Sequence, residues 1–345
     1  MIRRRKVTID NKNIHFYILG AGPALVMFHP SPHSGELLLP LAKELALDYT
    51  VICVDTPGYG KSDALPNKPI DLTNYTAVFH AFFNKLNMEQ PVLYGSATGA
   101  QIAIRYALDY PNEVSHIFLD NAAHFNDALR ARILKHYFPD LTPELSGSHI
   151  RKVWEITNKM FQYFPWCFNE EEYALHRPQL PKEALHGIAL DFFKAGKDYY
   201  VAYETAFKHE KAEYVQELKV PTTIFRWKGS IIKPYIDDLL SFKFPSCVET
   251  VSIPESHVER NLEMIKQLRN KTKRLVSYSL PEALNIEPKK EAKAKGVTPK
   301  KTLPKVLENG SHFIEAWELL KRYNPELNAV ELQDLMIEWF SKSKN

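Results

Sequence analysis

The chain has 345 residues, 45% hydrophobic and 12% aromatic, with 44 basic and 41 acidic side chains for a net charge of +3. That apolar content allows a sizeable core and excludes disorder for most of the chain, and so mild a charge argues against nucleic acid or a membrane surface as the main partner. The three cysteines, Cys53, Cys167 and Cys247, lack metal-ligand or CxxC spacing, and no apolar stretch follows the basic start MIRRRK. A cytoplasmic protein without membrane spans is the expectation.

Val7–Ile9 and Ile14–Ile18 read as strands around an Asn11–Asn13 turn. Ala24–Phe28 is an apolar run ending at His29, Glu36–Leu47 has helical periodicity, and Thr50–Val54 is a buried strand ending at Asp55. Asn74–Leu86 predicts a helix, Pro91–Tyr94 a strand, Ala97–Tyr110 a helix stopped by Pro111, and Val114–Leu119 another strand. Short apolar strands between helices predict an α/β fold, a mostly parallel doubly wound sheet with helices on both faces. From about 121 to 218 the pattern turns helical and rich in large aromatics: Trp154, Phe161, Phe164, Trp166, Phe192, Phe193, Tyr199 and Tyr200. This stretch predicts an inserted helical cap, with burial inside the cap's own core as the default for such residues. Strand signals return at Thr222–Trp227 and Val248–Ile253. The predicted domains are a core of 1–120 and 219–275, a cap of 121–218, and a basic linker plus C-terminal helical extension at 276–345. Lys289–Lys305 carries seven lysines against one acid, Glu291, and Phe313–Tyr323 and Val330–Phe340 read as amphipathic helices.

Three segments follow successive strands: FHPSPHSG at Phe28–Gly35, DTPGYGKSD at Asp55–Asp63 and LYGSATGA at Leu93–Ala100. In order and spacing they resemble the α/β-hydrolase superfamily over about Lys6–Leu119, and the strands after Pro221 fit the same pattern. The outer glycines of the G-x-S-x-G elbow fall on Gly95 and Gly99. The apex, where the family keeps its attacking residue on a strained turn, is therefore Ala97. A methyl group cannot attack, so acyl-enzyme chemistry from this position is excluded. His29–Ser34, Asp55–Gly58 and Thr98-Gly99, with Ser146–His149, Trp154 and Phe164–Trp166, resemble one branch in particular. That branch has an HxTPRS-like loop, a DTPG turn and a histidine at the apex of a G-x-H-T-G elbow. Ala97 departs from this branch too, through a natural loss or an engineered replacement.

The resemblance implies an oxyanion hole formed by the backbone N–H groups of Ser31 and Thr98, and it makes the DTPG turn scaffold. Ser96, just before the apex, is the weaker candidate nucleophile, since its side chain should point away from the pocket axis and satisfy a local backbone hydrogen bond. The family's histidine follows the last strand. His257 fits on strand spacing, and His312, in Gly310-Ser311-His312-Phe313, is the rival. The loop after the seventh strand, Gly229–Pro234, holds no carboxylate; Asp237 and Asp238 read as N-terminal helix residues, and Asp120 is the alternative acid at the end of the sixth strand. No metal and no cofactor is expected, and the sequence carries no signal for oligomeric state.

The pocket should lie at the carboxyl ends of the strands beneath the cap, whose apolar character implies a small apolar or aromatic molecule. Three functions fit. One is a hydrolase of an ester-like substrate, using a water over Ala97 with His257 as base and Asp120 as its partner. Another is an active hydrolase inactivated at the apex. The third is a non-catalytic pseudo-enzyme that binds its ligand, which the missing acid favours. A histidine within hydrogen-bond reach of Asp120 separates them: its presence favours the enzyme, its absence the binder.

Overall fold

A basic edge hairpin opens the sheet. In the computed structural model, which describes residues 2–272 and 275–285, β1 (Arg3–Ile9) and β2 (Lys12–Leu19) are joined by Asp10 and Asn11. Both joining residues have positive φ, 45° and 62°, the twist that two-residue hairpins favour. The turn therefore falls one residue before the expected one. Arg3, Arg5 and the other charges of β1 lie along the sheet's free edge, where charge discourages pairing with another chain. The chain divides into units 1–285 and 286–345, and everything below concerns the first. The expected basic linker, both C-terminal helices and His312 lie outside the described residues.

Six further strands complete the sheet: β3 (Ala24–Phe28), β4 (Thr50–Val54), β5 (Val92–Ser96), β6 (His116–Asp120), β7 (Thr222–Trp227) and β8 (Val248–Ile253). Their order is β1-β2-β4-β3-β5-β6-β7-β8, antiparallel at the first two pairings and parallel from β4 onward. Every residue of β3, β4 and β5 is buried, as strands covered on both faces require. Side chains alternate between two cores. Val26 and Phe28 join Phe79 and Phe82 of α2 (Thr73–Lys85) and Ile102 and Tyr106 of α3 (Thr98–Asp109) on one face. Leu25 and Met27 join Leu41 and Leu45 of α1 (Leu39–Leu45) and Met264 and Leu268 of α10 (His257–Lys271) on the other. The helix expected over Glu36–Leu47 is shorter than its periodicity. A 3-10 turn covers Gly35–Leu38, and α1 starts only where Pro40, which has no N–H to donate, can sit in the first turn.

Between β6 and β7 the chain leaves the sheet for a helical insertion: α4 (Asp127–His136), α5 (Ser148–Lys159), α6 (Lys182–Ala195), α7 (Val201–His209) and α8 (Ala212–Gln216). Its core is aromatic, with Phe125, Tyr137, Phe164, Trp166, Phe192, Tyr199 and Phe207 buried together. Most of the aromatics noted in the sequence are spent here, while Trp154 and Phe193 remain 43% and 41% exposed. A short helix, α9 (Lys233–Leu240), follows β7. Among the described residues no helix is long and apolar enough to cross a membrane.

Candidate functional site

The turn between β5 and α3 sits at the carboxyl edge of the sheet's centre. Ala97 adopts φ 49°, ψ −112°, a conformation that strains any residue with a Cβ. Its N–H donates to the Asp120 carbonyl at 2.9 Å, and its own carbonyl accepts from Ala100 and Gln101 at 2.8 and 3.1 Å. Close approach explains both flanking glycines. A Cβ on Gly95 would lie 2.2 Å from the Gly99 carbonyl oxygen, and one on Gly99 would lie 2.2 Å from the Phe28 oxygen. Thus the frame read from sequence corresponds to a strand–turn–helix that only small residues allow, with a half-buried methyl group at its apex.

Two amides just beyond the carboxyl ends of the paired strands β3 and β5 are unspent. The N–H groups of Ser31 and Thr98 have no acceptor among the described residues, and both residues are buried. The Ser31 loop is held from below. His29 Nε2 accepts from the Thr56 N–H at 3.0 Å, so the proton is assigned to Nδ1, which donates to the Pro30 carbonyl at 3.0 Å. Burial holds this imidazole below its usual range, so it is neutral. Asp55 accepts from the Gly35 and Lys61 N–H groups at 2.8 and 2.9 Å and from His15 Nδ1 at 2.8 Å. Burial would raise the Asp55 carboxyl, but His15 and these amides outweigh it and hold it below the usual range. The DTPG segment acts as scaffold through this network. Above the loop, His33 Nδ1 meets Asp191 Oδ2 of α6 at 2.7 Å, joining loop to insertion.

Asp120 is fully buried at the end of β6, opposite Ser96 in register. Its Oδ2 accepts from the Tyr94 hydroxyl at 2.9 Å, from Ser96 Oγ at 3.2 Å and from Arg260 Nη2, an ion pair. Among the described residues, which do not include His312, no histidine hydrogen-bonds to it. The expected Asp120–His257 pair is therefore corrected to Asp120–Arg260: one turn into α10, the Arg260 side chain reaches back over the Trp227 ring, 4.9 Å from its centroid, to the carboxylate. Ser96 is likewise committed to Asp120 rather than to a backbone group. His257, first residue of α10, is exposed and lies with its ring 4.6 Å from Trp227. Partial desolvation against its neighbours, then the positive charges of Arg260 and Arg177, hold its imidazole below the usual range, against the opposing charge of Asp120.

In the acid-free loop after β7, Arg177 binds the Gly229 and Ser230 carbonyls at 2.9 Å each, and Ser230 Oγ donates to Asn121 Oδ1 at 2.6 Å. Asp237 and Asp238 are not N-terminal in their helix but lie in the middle of α9. Asp237 pairs with Arg226 and Lys233, which hold its carboxyl low against the opposing effect of burial. A cleft of about 220 Å³ opens between the 57–69 loop and the insertion, lined by Tyr59, Lys68, Tyr75 and Tyr200; Ala97, Asp120 and His257 are not among its walls. Sequence reasoning missed Arg260, Arg177 and Glu210, a buried acid of the insertion. Nothing in their local sequence marks them, because each acquires its role from a partner far away in the chain.

The family model described as alpha/beta hydrolase fold matches residues 23–148. A fluoroacetate dehalogenase from a Burkholderia species is 34% identical over 118 residues, which is 32% of this chain and 38% of that protein. An uncharacterized protein of Mycobacterium bovis is 26% identical over 120 residues, 33% of this chain and 35% of its own length. The chain thus spans little more than a third of the curated relatives it matches. Among solved structures, a mutant of potato epoxide hydrolase superposes with TM-score 0.61 at 19% identity, covering 80% of this chain and 100% of that one. A haloalkane dehalogenase from Agrobacterium tumefaciens superposes with TM-score 0.56 at 15% identity, covering 79% and 97%. At such identities the superpositions speak to the fold alone. Eight strands in this order, the elbow at the end of β5 and the family model over residues 23–148 together lead to one conclusion: the chain has the α/β-hydrolase fold.

Proposed function

We propose that the protein is a non-catalytic member of its superfamily that binds a small apolar or aromatic molecule beneath the insertion, which serves as its cap. The observation that carries this reading is the pairing of Asp120 with Arg260. A histidine base needs a carboxylate to orient it and to stabilise its charged form. Here Asp120 Oδ2 is engaged by Arg260, Tyr94 and Ser96, and the positive charges of Arg260 and Arg177 oppose imidazolium formation at His257 more than Asp120 favours it. With Ala97 at the apex, no nucleophile stands there, and among the described residues no Asp–His relay is assembled. The free amides of Ser31 and Thr98 remain suited to hold a ligand's polar oxygen.

One observation favours a second reading, hydrolysis of an ester-like substrate by a water over Ala97. Ala97 keeps a backbone strain worth roughly 1–3 kcal/mol although its methyl group cannot act as a nucleophile. The two readings part in one experiment. Hydrolysis of 4-nitrophenyl acetate is followed for the wild type, Ala97→Ser and Ala97→His, each with and without His257→Ala, while titration calorimetry measures acetophenone binding. The binding reading expects saturable acetophenone binding and no turnover above buffer in any of them. Wild-type turnover abolished by His257→Ala would overturn it in favour of the second.

A further inference from the structure

The cleft of about 220 Å³ between the 57–69 loop and the insertion shares no wall with Ala97 or Asp120. Pro57, Leu65, Pro66, Pro69 and Val201 make its sides apolar, together with Tyr59, Tyr75 and Tyr200. Its two buried tyrosines differ. Tyr59 donates its hydroxyl to the Tyr199 carbonyl. Tyr75 is 1% exposed, and its hydroxyl has no hydrogen-bond partner among the described residues. That oxygen is not sealed in the interior, so it opens on the cleft that its residue lines. Polar groups buried to this degree almost always find a partner, and a phenol at neutral pH still has its proton to donate.

Lys68 brings a second donor to the same cleft. Its ammonium lies 5.1 Å from the centroid of the Tyr200 ring and 3.5 Å from Glu204 Oε2 of α7. Glu204 does not depend on it, because its other oxygen pairs with Lys208 at 2.7 Å. Two cations thus share one carboxylate. The Lys68 side chain is 61% exposed, and an ion pair so open to water holds it weakly. Lys68 can therefore turn to a ligand without stranding an acid. Asp198 is also in the wall but is exposed, so water and salt screen its charge.

We propose that this cleft is a second binding site, for a small organic carboxylate: Tyr75 donates to one carboxylate oxygen, Lys68 pairs with the other, and the apolar walls take the hydrocarbon body. It stands independently of the ligand-binding reading above. The volume suits a single ring or a short chain rather than a larger molecule. An ammonium ligand fits less well, because the Tyr200 face and Glu204 that would receive it are already covered by Lys68.

Titration calorimetry at low salt with benzoate, benzamide and benzylammonium tests the site. The wild type binds benzoate about tenfold more tightly than benzamide, as one charge-assisted contact implies. Lys68→Met, at an exposed position, erases that preference and changes benzamide affinity little. Tyr75→Phe weakens both about fivefold, the effect of one neutral hydrogen bond. Unchanged benzoate affinity in either variant overturns the proposal, as does tighter binding of benzylammonium or a wild type that does not bind benzoate. Amide NMR of the wild type locates the anion. Benzoate shifts the resonances of Asn67, Lys68 and Val201; shifts confined to Ser31 and Thr98 place it at the elbow and overturn the cleft.

Discussion

Replacing Arg260 with methionine strands Asp120 in the interior. The carboxylate is 0% exposed and the arginine side chain only 16%, so this is a buried pair, and removing one partner of such a pair costs about 3–5 kcal/mol. The Tyr94 and Ser96 hydroxyls still donate to the carboxylate, which puts the expected loss near the lower figure. Loss of the guanidinium over Trp227 adds roughly 0.5–1 kcal/mol. The variant can relieve itself by protonating Asp120. Protonation removes the unpaired charge, so the deficit is full at neutral pH and shrinks in acid. Urea unfolding followed by circular dichroism at pH 7 and at about pH 4.5 measures both effects. The Asp120→Asn, Arg260→Met double variant removes the charge problem and should recover most of the loss. In the single variant, NMR titration of His257 should show its pKa moving up as a repelling cation disappears. A loss under about 1 kcal/mol at neutral pH, or one that does not change with pH, would refute the claim that Arg260 is the counter-ion of Asp120.

At the apex, Ala97→Gly should be neutral or stabilising by up to about 1 kcal/mol, because glycine relieves the positive φ; a thermal melt showing clear destabilisation contradicts this. Gly95→Ala drives a methyl into the Gly99 carbonyl and should cost more than about 3 kcal/mol, seen as a collapsed melting temperature or no folded protein; a near-normal melt would show that the elbow relaxes freely. For Glu210, whose folded pKa is raised by burial, stability is present below the unfolded carboxylate pKa and is lost as pH climbs towards the folded one. Arg130 and Tyr203 are the charged or titratable groups it faces. Glu210→Gln removes this titration, so its stability relative to wild type should rise by up to about 1.4 kcal/mol per pH unit across that window in denaturant unfolding, and a flat difference counts against the buried acid.

Much of the fold was legible because parallel strands covered on both faces must be apolar throughout. The bounds of Ala24–Phe28, Thr50–Val54 and Thr222–Trp227 are legible to the residue for that reason. The elbow was legible because Gly95 and Gly99 are compelled by backbone contacts that recur wherever this turn forms, so the identity of the apex follows by counting. Asp237 misled because an acid early in a helical run resembles a first-turn residue, whereas Arg226 on β7 gives it a partner in mid-helix.

The sequence alone determined the α/β architecture, the turn and the alanine at its apex, since these depend on local patterns of apolarity and small size. Which side chain would meet Asp120 depended on α10 packing back across the sheet, bringing together residues 140 apart in the chain. In the same way, Glu210 became a buried acid only when the insertion closed against Phe125 and Gln101. Charge pairing acts through space over a few ångströms, and no periodicity along the chain encodes which distant groups will share that space.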